Sequence, residues 1–464
     1  MRMNPTSRTL SGAAAALVCL LTAPPLAAQL TREQQVALMD SIAESPLIEG
    51  RVAGIAVAVV RGGDTLLLKS YGKGDLEWDA PLTTDAVFEI GSVTKQFTAA
   101  AILQLRDEGK IDLDADMSQY LPDFDTQGRR IPVRRLLDHT SGMRGITEIG
   151  EFASIVMEDL PRDTLLDLVA AKPFDFEPGE ALIYNNSAYI LLGHIIEKVS
   201  GMSYEDYVEQ KLFAPLGMHR SSYCSNTDVV PRRAHGYSLT PQGLVRASFN
   251  NHTWPFSAGS LCSTTGDLIT WLRKLHGGEV LPEASYRDMI TPGTLNDGTP
   301  VRYAMGLGVM PDPRGRASIS HGGGISGFVS DTRYYPEEDL YVVVLVNTTG
   351  NLSPAAIAME MVDVLLPPTP LARRAFEGDV APLVGEYTGP TRGRISTVKV
   401  TATANGVALS INDGNATPLS WVDDWTFTAG TQIVTFKREG SSGPATVLRL
   451  DGGGSHYVMR RTGG

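Results

Sequence analysis

An antiparallel β-sheet backed by helices and facing a helical subdomain, with a small all-β domain after it, is the α+β architecture that this sequence predicts. Three patterns in its 464 residues carry that expectation. Strand-like apolar runs stand at both ends of the stretch 29–366 with helical periodicity between them, so the first and last strands are expected to meet in one sheet. A proline cluster, Pro367-Pro368-Thr369-Pro370, breaks the chain as a stiff linker over 367–375 would. From 376 to 464 short alternating runs separated by turn residues read as a barrel or sandwich. A chain of this length exceeds one compact core, which agrees with two folded units.

Taken in order, residues 1–28 read as a secretory signal: Arg2 and Arg8, the apolar stretch Gly12 to Leu21, then the small-residue site Leu26-Ala27-Ala28. Gly54 to Val60, the turn Gly62-Gly63-Asp64 and Thr65 to Leu68 form a predicted hairpin. Thr98 to Leu105 is an alanine-rich helix ending at Gly109, and Asn185 to Val199 is a second helix stopped by Gly201. Ala317 to Ser320, Phe328 to Tyr335 and Leu340 to Val346 read as strands, the last a continuous buried run, and Ala355 to Leu365 as a helix. In the last unit, Val398, Val400 and Ala402 alternate up to Asn405-Gly406, and Val407, Leu409 and Ile411 alternate away from it. That is a type I′ hairpin signal.

Charge and composition exclude several functions. The net charge is −12, so an acidic surface would repel nucleic acid, and no basic patch invites it. The apolar stretch near the N-terminus is short for a membrane span, and no later segment reaches the roughly 20 apolar residues one requires. A secreted or periplasmic location is therefore expected. Of the three cysteines, Cys19 lies in the signal; Cys224 and Cys262 read equally as a disulfide or as two separate buried thiols. Neither His-Glu-x-x-His nor a close cysteine pair is present, so no metal and no cofactor is expected.

Ser92 and Lys95 carry the chemistry. At i and i+3 of a helix they share a face, and an amine can then serve as base to a hydroxyl. An amine with an ordinary pKa near ~10.4 is a poor base at neutral pH, so the pair needs a pocket that lowers it. A second copy, Ser70-x-x-Lys73, follows a strand-like run and precedes Gly72 and Gly74, which points its lysine into solvent from a turn. Ser92 opens a buried helix whose first-turn N–H groups favour negative charge, and it is preferred.

Two further groups complete a site. Tyr184 with Asn186 offers a phenol that a nearby lysine cation would help to ionise, and an amide that both donates and accepts. The plain alternative is that Tyr184 packs and Asn186 caps the following helix. His321-Gly322-Gly323-Gly324 ends a predicted strand, where glycines let a substrate approach the backbone. His276-Gly277-Gly278 is better read as a helix stop, and Gly322-x-Gly324-x-x-Gly327 precedes a strand where a dinucleotide motif needs a helix.

In this order Ser92-x-x-Lys95, Tyr184-x-Asn186 and His321-Gly322-Gly323 resemble the motifs of the serine hydrolases related to class C β-lactamases, D-alanyl-D-alanine carboxypeptidases, D-aminopeptidases and family VIII esterases. Flanking runs, among them Leu137-Asp138-His139-Thr140-Ser141-Gly142 and Leu345-Val346-Asn347, extend the likeness over roughly 35 to 365. The resemblance implies the β-lactamase and penicillin-binding-protein fold, with Ser92 as nucleophile and Lys95 and Tyr184 sharing the base and shuttle roles. It implies an oxyanion hole from the N–H groups of Ser92 and Gly324 beside Gly323, Asn186 holding the acyl amide, and His321 orienting substrate or passing a proton. His139 lies in a turn landmark and reads as structural. The β-lactamases carry Lys-Thr-Gly where this chain has His321-Gly322-Gly323, so binding of a β-lactam carboxylate is expected to be weak. The final domain is similar to the small lipocalin-like barrels that follow some of these hydrolases.

An exported acyl hydrolase acting on D-amino-acid peptides or small esters is the expected function, with a small-molecule or peptide as its partner and β-lactamase activity proper as the alternative. A binding protein that keeps the fold as a cell-wall peptide receptor would show a damaged catalytic set, and Ser92, Lys95, Tyr184 and Asn186 are all present. An α/β-hydrolase needs Gly-x-Ser-x-Gly, which does not occur. Nothing in the sequence fixes an oligomeric state.

Overall fold

The computed structural model describes residues 30–366 and 376–463, apart from 405, 431, 439, 441 and 453. The signal segment and the linker over 367–375 lie outside the described residues. Seven strands form the central sheet: β1 Gly54–Arg61, β2 Asp64–Asp75, β3 Ala80–Pro81, β4 Gly308–Val309, β5 Ile319–Ile325, β6 Phe328–Tyr335 and β7 Leu340–Val346, in the order β3-β2-β1-β7-β6-β5-β4. The expected meeting of first and last strands is observed: Ile55 pairs with Val346 and Arg61 with Leu340, antiparallel.

Both faces of β1 and β7 are covered, which is why these runs are apolar throughout instead of alternating. Ile55, Val57 and Val59 pack with Met39 of helix α1 (Arg32–Ile48) and with Ile357 and Met361, while Ala56, Ala58 and Val60 join the core of the helical subdomain. The helix carrying Ile357, Pro354–Leu365, begins with Ser353 as its cap and proline in its first turn. Helix α2, Thr94–Asp107, is buried over nearly its whole length, and α3, Asn186–Ser200, packs on it. The C-terminal helix Pro354–Leu365 is α4.

Two segments differ from the sequence expectation. β2 runs on to Asp75, so Ser70 and Lys73 sit within a strand and not before a turn. Three residues apart in a strand they point to opposite faces and cannot pair; Lys73 bonds Asp79 instead. β5 continues through the whole run His321-Gly322-Gly323-Gly324, and the turn comes at Ser326-Gly327, where Gly327 takes φ 83.

Cys224 and Cys262 form a disulfide, with Cα atoms 5.2 Å apart across a separation of 38 residues. Of the two readings left open by the sequence, the bridge is the one observed. Closing a loop of 38 residues constrains the unfolded chain by roughly 3 to 4 kcal/mol on the chain-entropy model. The double substitution Cys224→Ala/Cys262→Ala is expected to lose about that much, read as a lower denaturation midpoint in urea with a somewhat steeper slope, since the freed unfolded chain exposes more surface.

The C-terminal unit is a nine-stranded antiparallel sheet. Its strands are β8 Gly385–Thr391, β9 Arg394–Thr403, β10 Gly406–Ile411, β11 Thr417–Pro418, β12 Ser420–Asp423, β13 Thr426–Ala429, β14 Gln432–Lys437, β15 Val447–Gly452 and β16 Ser455–Thr462. Its edge strands β11 and β12 are consecutive in the chain, so the sheet curls into a nearly closed barrel around Tyr387, Val398, Val400, Phe427, Val434 and Leu448. The hairpin expected around Asn405-Gly406 is β9–β10, with Thr403 opposite Gly406. Among the described residues no helix is long and apolar enough to cross a membrane.

Candidate active site

Ser92 sits in a short 3₁₀ turn, Gly91–Val93, that runs straight into α2. Gly91 takes φ 52, and a Cβ there would fall 2.8 Å from the Gly324 nitrogen, so only glycine lets this turn lie against β5. Gly323 serves the same approach from the other side. A Cβ on it would meet the Ile90 carbonyl oxygen at 2.0 Å. It faces the turn, whereas Gly322 and Gly324 line the cleft. With the hairpin closing at Ile325 and Phe328, the alternation of an antiparallel pair turns the N–H groups of Gly322 and Gly324 toward the free edge of the sheet. The Gly324 N–H is thereby placed beside the Ser92 turn.

Lys95 is fully buried. Its Nζ lies 3.1 Å from Ser92 Oγ, 2.8 Å from Asn186 Oδ1 and 2.8 Å from the Ala258 carbonyl oxygen. None of these groups carries a charge, so nothing offsets the burial of an ammonium. Burial, and then the Arg392 guanidinium, hold the Lys95 pKa well below its ordinary value. A neutral amine has two N–H donors and one lone pair, which suits this setting: it donates to Asn186 and to Ala258 and accepts the Ser92 O–H. That is the geometry of a base waiting for the serine proton.

Tyr184 corrects a sequence expectation. The nearby lysine was expected to ease its ionisation, but the amine lies 4.8 Å over the ring and is held neutral, and burial raises the phenol pKa against the lowering effects of Ser92 and Arg392. Tyr184 therefore rests as a proton donor close to Ser92. Asn185 is the residue that caps α3, its Oδ1 accepting the Ala188 N–H at 3.0 Å. Asn186 is left free to face Lys95, with its Nδ2 3.4 Å from Thr147 Oγ1.

His321 is neutral and doubly held. Its Nδ1–H donates to the Gly322 carbonyl at 2.6 Å, which leaves Nε2 to accept the Tyr303 hydroxyl at 2.9 Å. Burial pushes its pKa down to about 3. It is a wall and a dipole here, with both nitrogens already engaged. His139 packs beneath Tyr184 with ring centroids 4.4 Å apart, and its Nδ1 accepts the Asn185 N–H at 3.1 Å.

The C-terminal domain builds one side of the cleft. Tyr184 N–H donates to Ser455 Oγ at 3.1 Å, and Leu182 and His456 exchange two main-chain bonds of 3.2 and 2.7 Å. Asp451, Ser455 and His456 line the same cavity of about 430 Å³ as Ser92, Tyr184 and His321. Arg392 pairs with Glu148 at 2.7 Å and stands 5.6 Å over the Tyr184 ring. Local spacing ties none of these residues to Ser92, nor does it tie Tyr303. The one sequence signal was the glycine run Gly452-Gly453-Gly454, a mark of close backbone approach; a Cβ on Gly454 would touch the Tyr184 ring at 3.3 Å. Because Arg392 disfavours a charged Lys95, Arg392→Ala is expected to raise the amine's pKa and move the acid limb of the kcat/KM profile to higher pH.

The chain resembles known proteins over the same region. A model of the family described as Beta-lactamase matches residues 32–365. The chain belongs to that family. It is 29% identical over 307 residues to a D-aminopeptidase of Gluconobacter oxydans (strain 621H), an alignment covering 66% of this chain and 57% of that protein. It is also 29% identical over 322 residues to penicillin-binding protein 4* of Bacillus subtilis (strain 168), covering 65% and 68% respectively. The solved octameric penicillin-binding protein homologue of Pyrococcus abyssi aligns over 92% of this chain and all of its own length, at 25% identity and a TM-score of 0.63. The protein thus has the fold of that family. The chain spans little more than half the length of the Gluconobacter relative.

Proposed function

We propose that this protein is exported and cleaves amide or ester bonds through a Ser92 acyl-enzyme, with D-amino-acid peptides or small esters as substrates and weak or no action on β-lactams. The observation that carries the reading is the buried Lys95 amine, 3.1 Å from Ser92 Oγ, its pKa held well below the ordinary value by that burial. Ser92 Oγ attacks the acyl carbon as its proton passes to Lys95 Nζ. The oxyanion forms between the N–H groups of Ser92 and Gly324, a pairing in which one donor is worth about 3 kcal/mol of barrier. Tyr184 O–H protonates the departing amine or alkoxide and is reprotonated from Lys95. Water then reverses the sequence and frees Ser92. Asn186 fixes the amine and offers its Nδ2 toward the acyl side.

The substrate class rests on the third motif. A neutral His321 supplies no cation for a β-lactam carboxylate, and Gly322 supplies no hydroxyl. The D-aminopeptidase relative supports amide substrates of D-amino acids. The disulfide supports an oxidising compartment, since such bridges persist mainly there. The test is a comparison of D-alanine p-nitroanilide, a p-nitrophenyl ester and nitrocefin, with intact-mass detection of an adduct on Ser92. Turnover of the amide or ester well above nitrocefin is expected. Nitrocefin as the preferred substrate overturns the substrate class, and an adduct elsewhere than Ser92 overturns the mechanism.

A further inference from the structure

We propose that the cleft has a second compartment, behind the free edge of β5, that receives a primary carboxamide on the leaving-group side of the substrate. The proposal rests on Ser92 being the nucleophile of an amide hydrolase. Cross-strand register pairs Gly322 with Asp331 and Ser320 with Arg333, so these four share one face of the sheet. His321 and Thr332 occupy the opposite face, where Thr332 Oγ1 accepts from the Gln96 side chain of α2. Yet one cavity is lined by Ser92, Tyr184 and His321 on the near face and by Asp331 and Arg333 on the far face. The space passes over residue 322 because that residue has no side chain. A Cβ there would come within 3.9 Å of Asp331 Oδ2.

The floor of this compartment is polar and buried. Asp331 is 2% exposed and Arg333 9%. Arg333 Nη2 donates to Asp331 Oδ2 at 3.2 Å. Arg333 Nε also stands 2.7 Å from Asp331 Oδ1, so the two side chains form a buried ion pair. Both residues line the cavity, so a ligand that enters it meets the pair.

Charge selects the ligand. Together the two side chains are neutral, so a carboxylate drawn to Arg333 meets the like charge of Asp331, and an ammonium meets the reverse conflict. A carboxamide satisfies both, its oxygen accepting from the guanidinium and its N–H donating to the carboxylate. Position selects where on the substrate it sits. Gly322 is two residues along β5 from the Gly324 N–H, about 7 Å at the usual rise of a strand, on the side of Tyr184 and His321 where the leaving group departs. Two residues span that distance. The compartment therefore fits the terminal amide of a tripeptide amide whose first residue is acylated onto Ser92 and whose other two form the leaving group.

The experiment compares kcat/KM for D-alanyl-glycyl-glycinamide, D-alanyl-glycyl-glycine and D-alanine p-nitroanilide. The amide is expected to exceed the free acid by about tenfold or more, as for a site that hydrogen-bonds one analogue and leaves polar groups unpaired with the other. Gly322→Val fills the passage and leaves the buried pair intact; Arg333→Gln removes the pair itself. Both are expected to bring the ratio to within about twofold of unity, with thermal unfolding of Gly322→Val confirming an intact fold. A ratio near unity in the wild type, or one that survives Gly322→Val, overturns the compartment while p-nitroanilide turnover stands. Turnover of none of the three substrates overturns the amide reading of Ser92, and the compartment with it.

Discussion

Replacement of Lys95 by methionine is expected to reduce turnover on the order of a thousandfold, to the level left by Ser92→Ala, because the two act as one unit and either loss removes the whole proton transfer. Methionine is close in volume and apolar, so the buried site keeps its packing. The pH behaviour separates this account from a simple loss of structure. Lys95 is neutral in the folded protein at a pH where it would be charged in the unfolded chain. Between its folded pKa and its ordinary value of 10.5 the unfolded state binds more protons, so this group makes stability rise with pH. In Lys95→Met that slope disappears, and urea midpoints measured from pH 7 to 10 should climb less than in the wild type. Activity should show no limb at the ordinary histidine pKa, since His321 does not charge above about 3. A Lys95→Met protein that retains a tenth of wild-type turnover would remove the amine from the mechanism.

Loss of the C-terminal barrel should also slow the reaction. A chain ending at 366 lacks Ser455 and His456, which bond Tyr184 and Leu182, and lacks Arg392. Three hydrogen-bond partners disappear from the segment that positions the proton donor, each worth about 1 kcal/mol, so a fall in kcat/KM of about tenfold follows if half of that loss appears as misplacement. Gly454→Val makes the same point without truncation. Its side chain would crowd the Tyr184 ring and sit at φ 75, a backbone angle that valine avoids. Acylation should slow while the unfolding midpoint of the catalytic domain stays close to that of the wild type. Equal kcat/KM for the full chain and the truncated one would show that the barrel has no part in catalysis.

The sequence disclosed those features whose causes are local or periodic. β1 and β7 announced themselves as uninterrupted apolar runs because both faces are covered, and α2 as an alanine-rich stretch because it lies at the centre of the domain. Ser92 and Lys95 were legible because three residues on a helical turn fix their meeting. The ionisation of Tyr184 was not, since it depends on the charge of Lys95. That charge is set by Asn186 and Ala258, partners from distant segments that are all uncharged. Asn185 and Asn186 are adjacent and chemically alike, so the division of capping and catalytic duty between them needed the backbone. Arg392, Asp451 and His456 reach the cleft only through docking of two domains, for which no spacing exists.

The pairing of β1 with β7 also has a consequence for biosynthesis. The strand made almost first in the catalytic domain hydrogen-bonds along its length to one made almost last, so the central sheet cannot close while most of the chain is still within the ribosome or a translocation channel. Such long-range pairing is slow to nucleate, because the entropy of joining distant segments is lost before their contacts form. A polypeptide of this topology stays open during its synthesis and completes its core only after its last strands are free to pair.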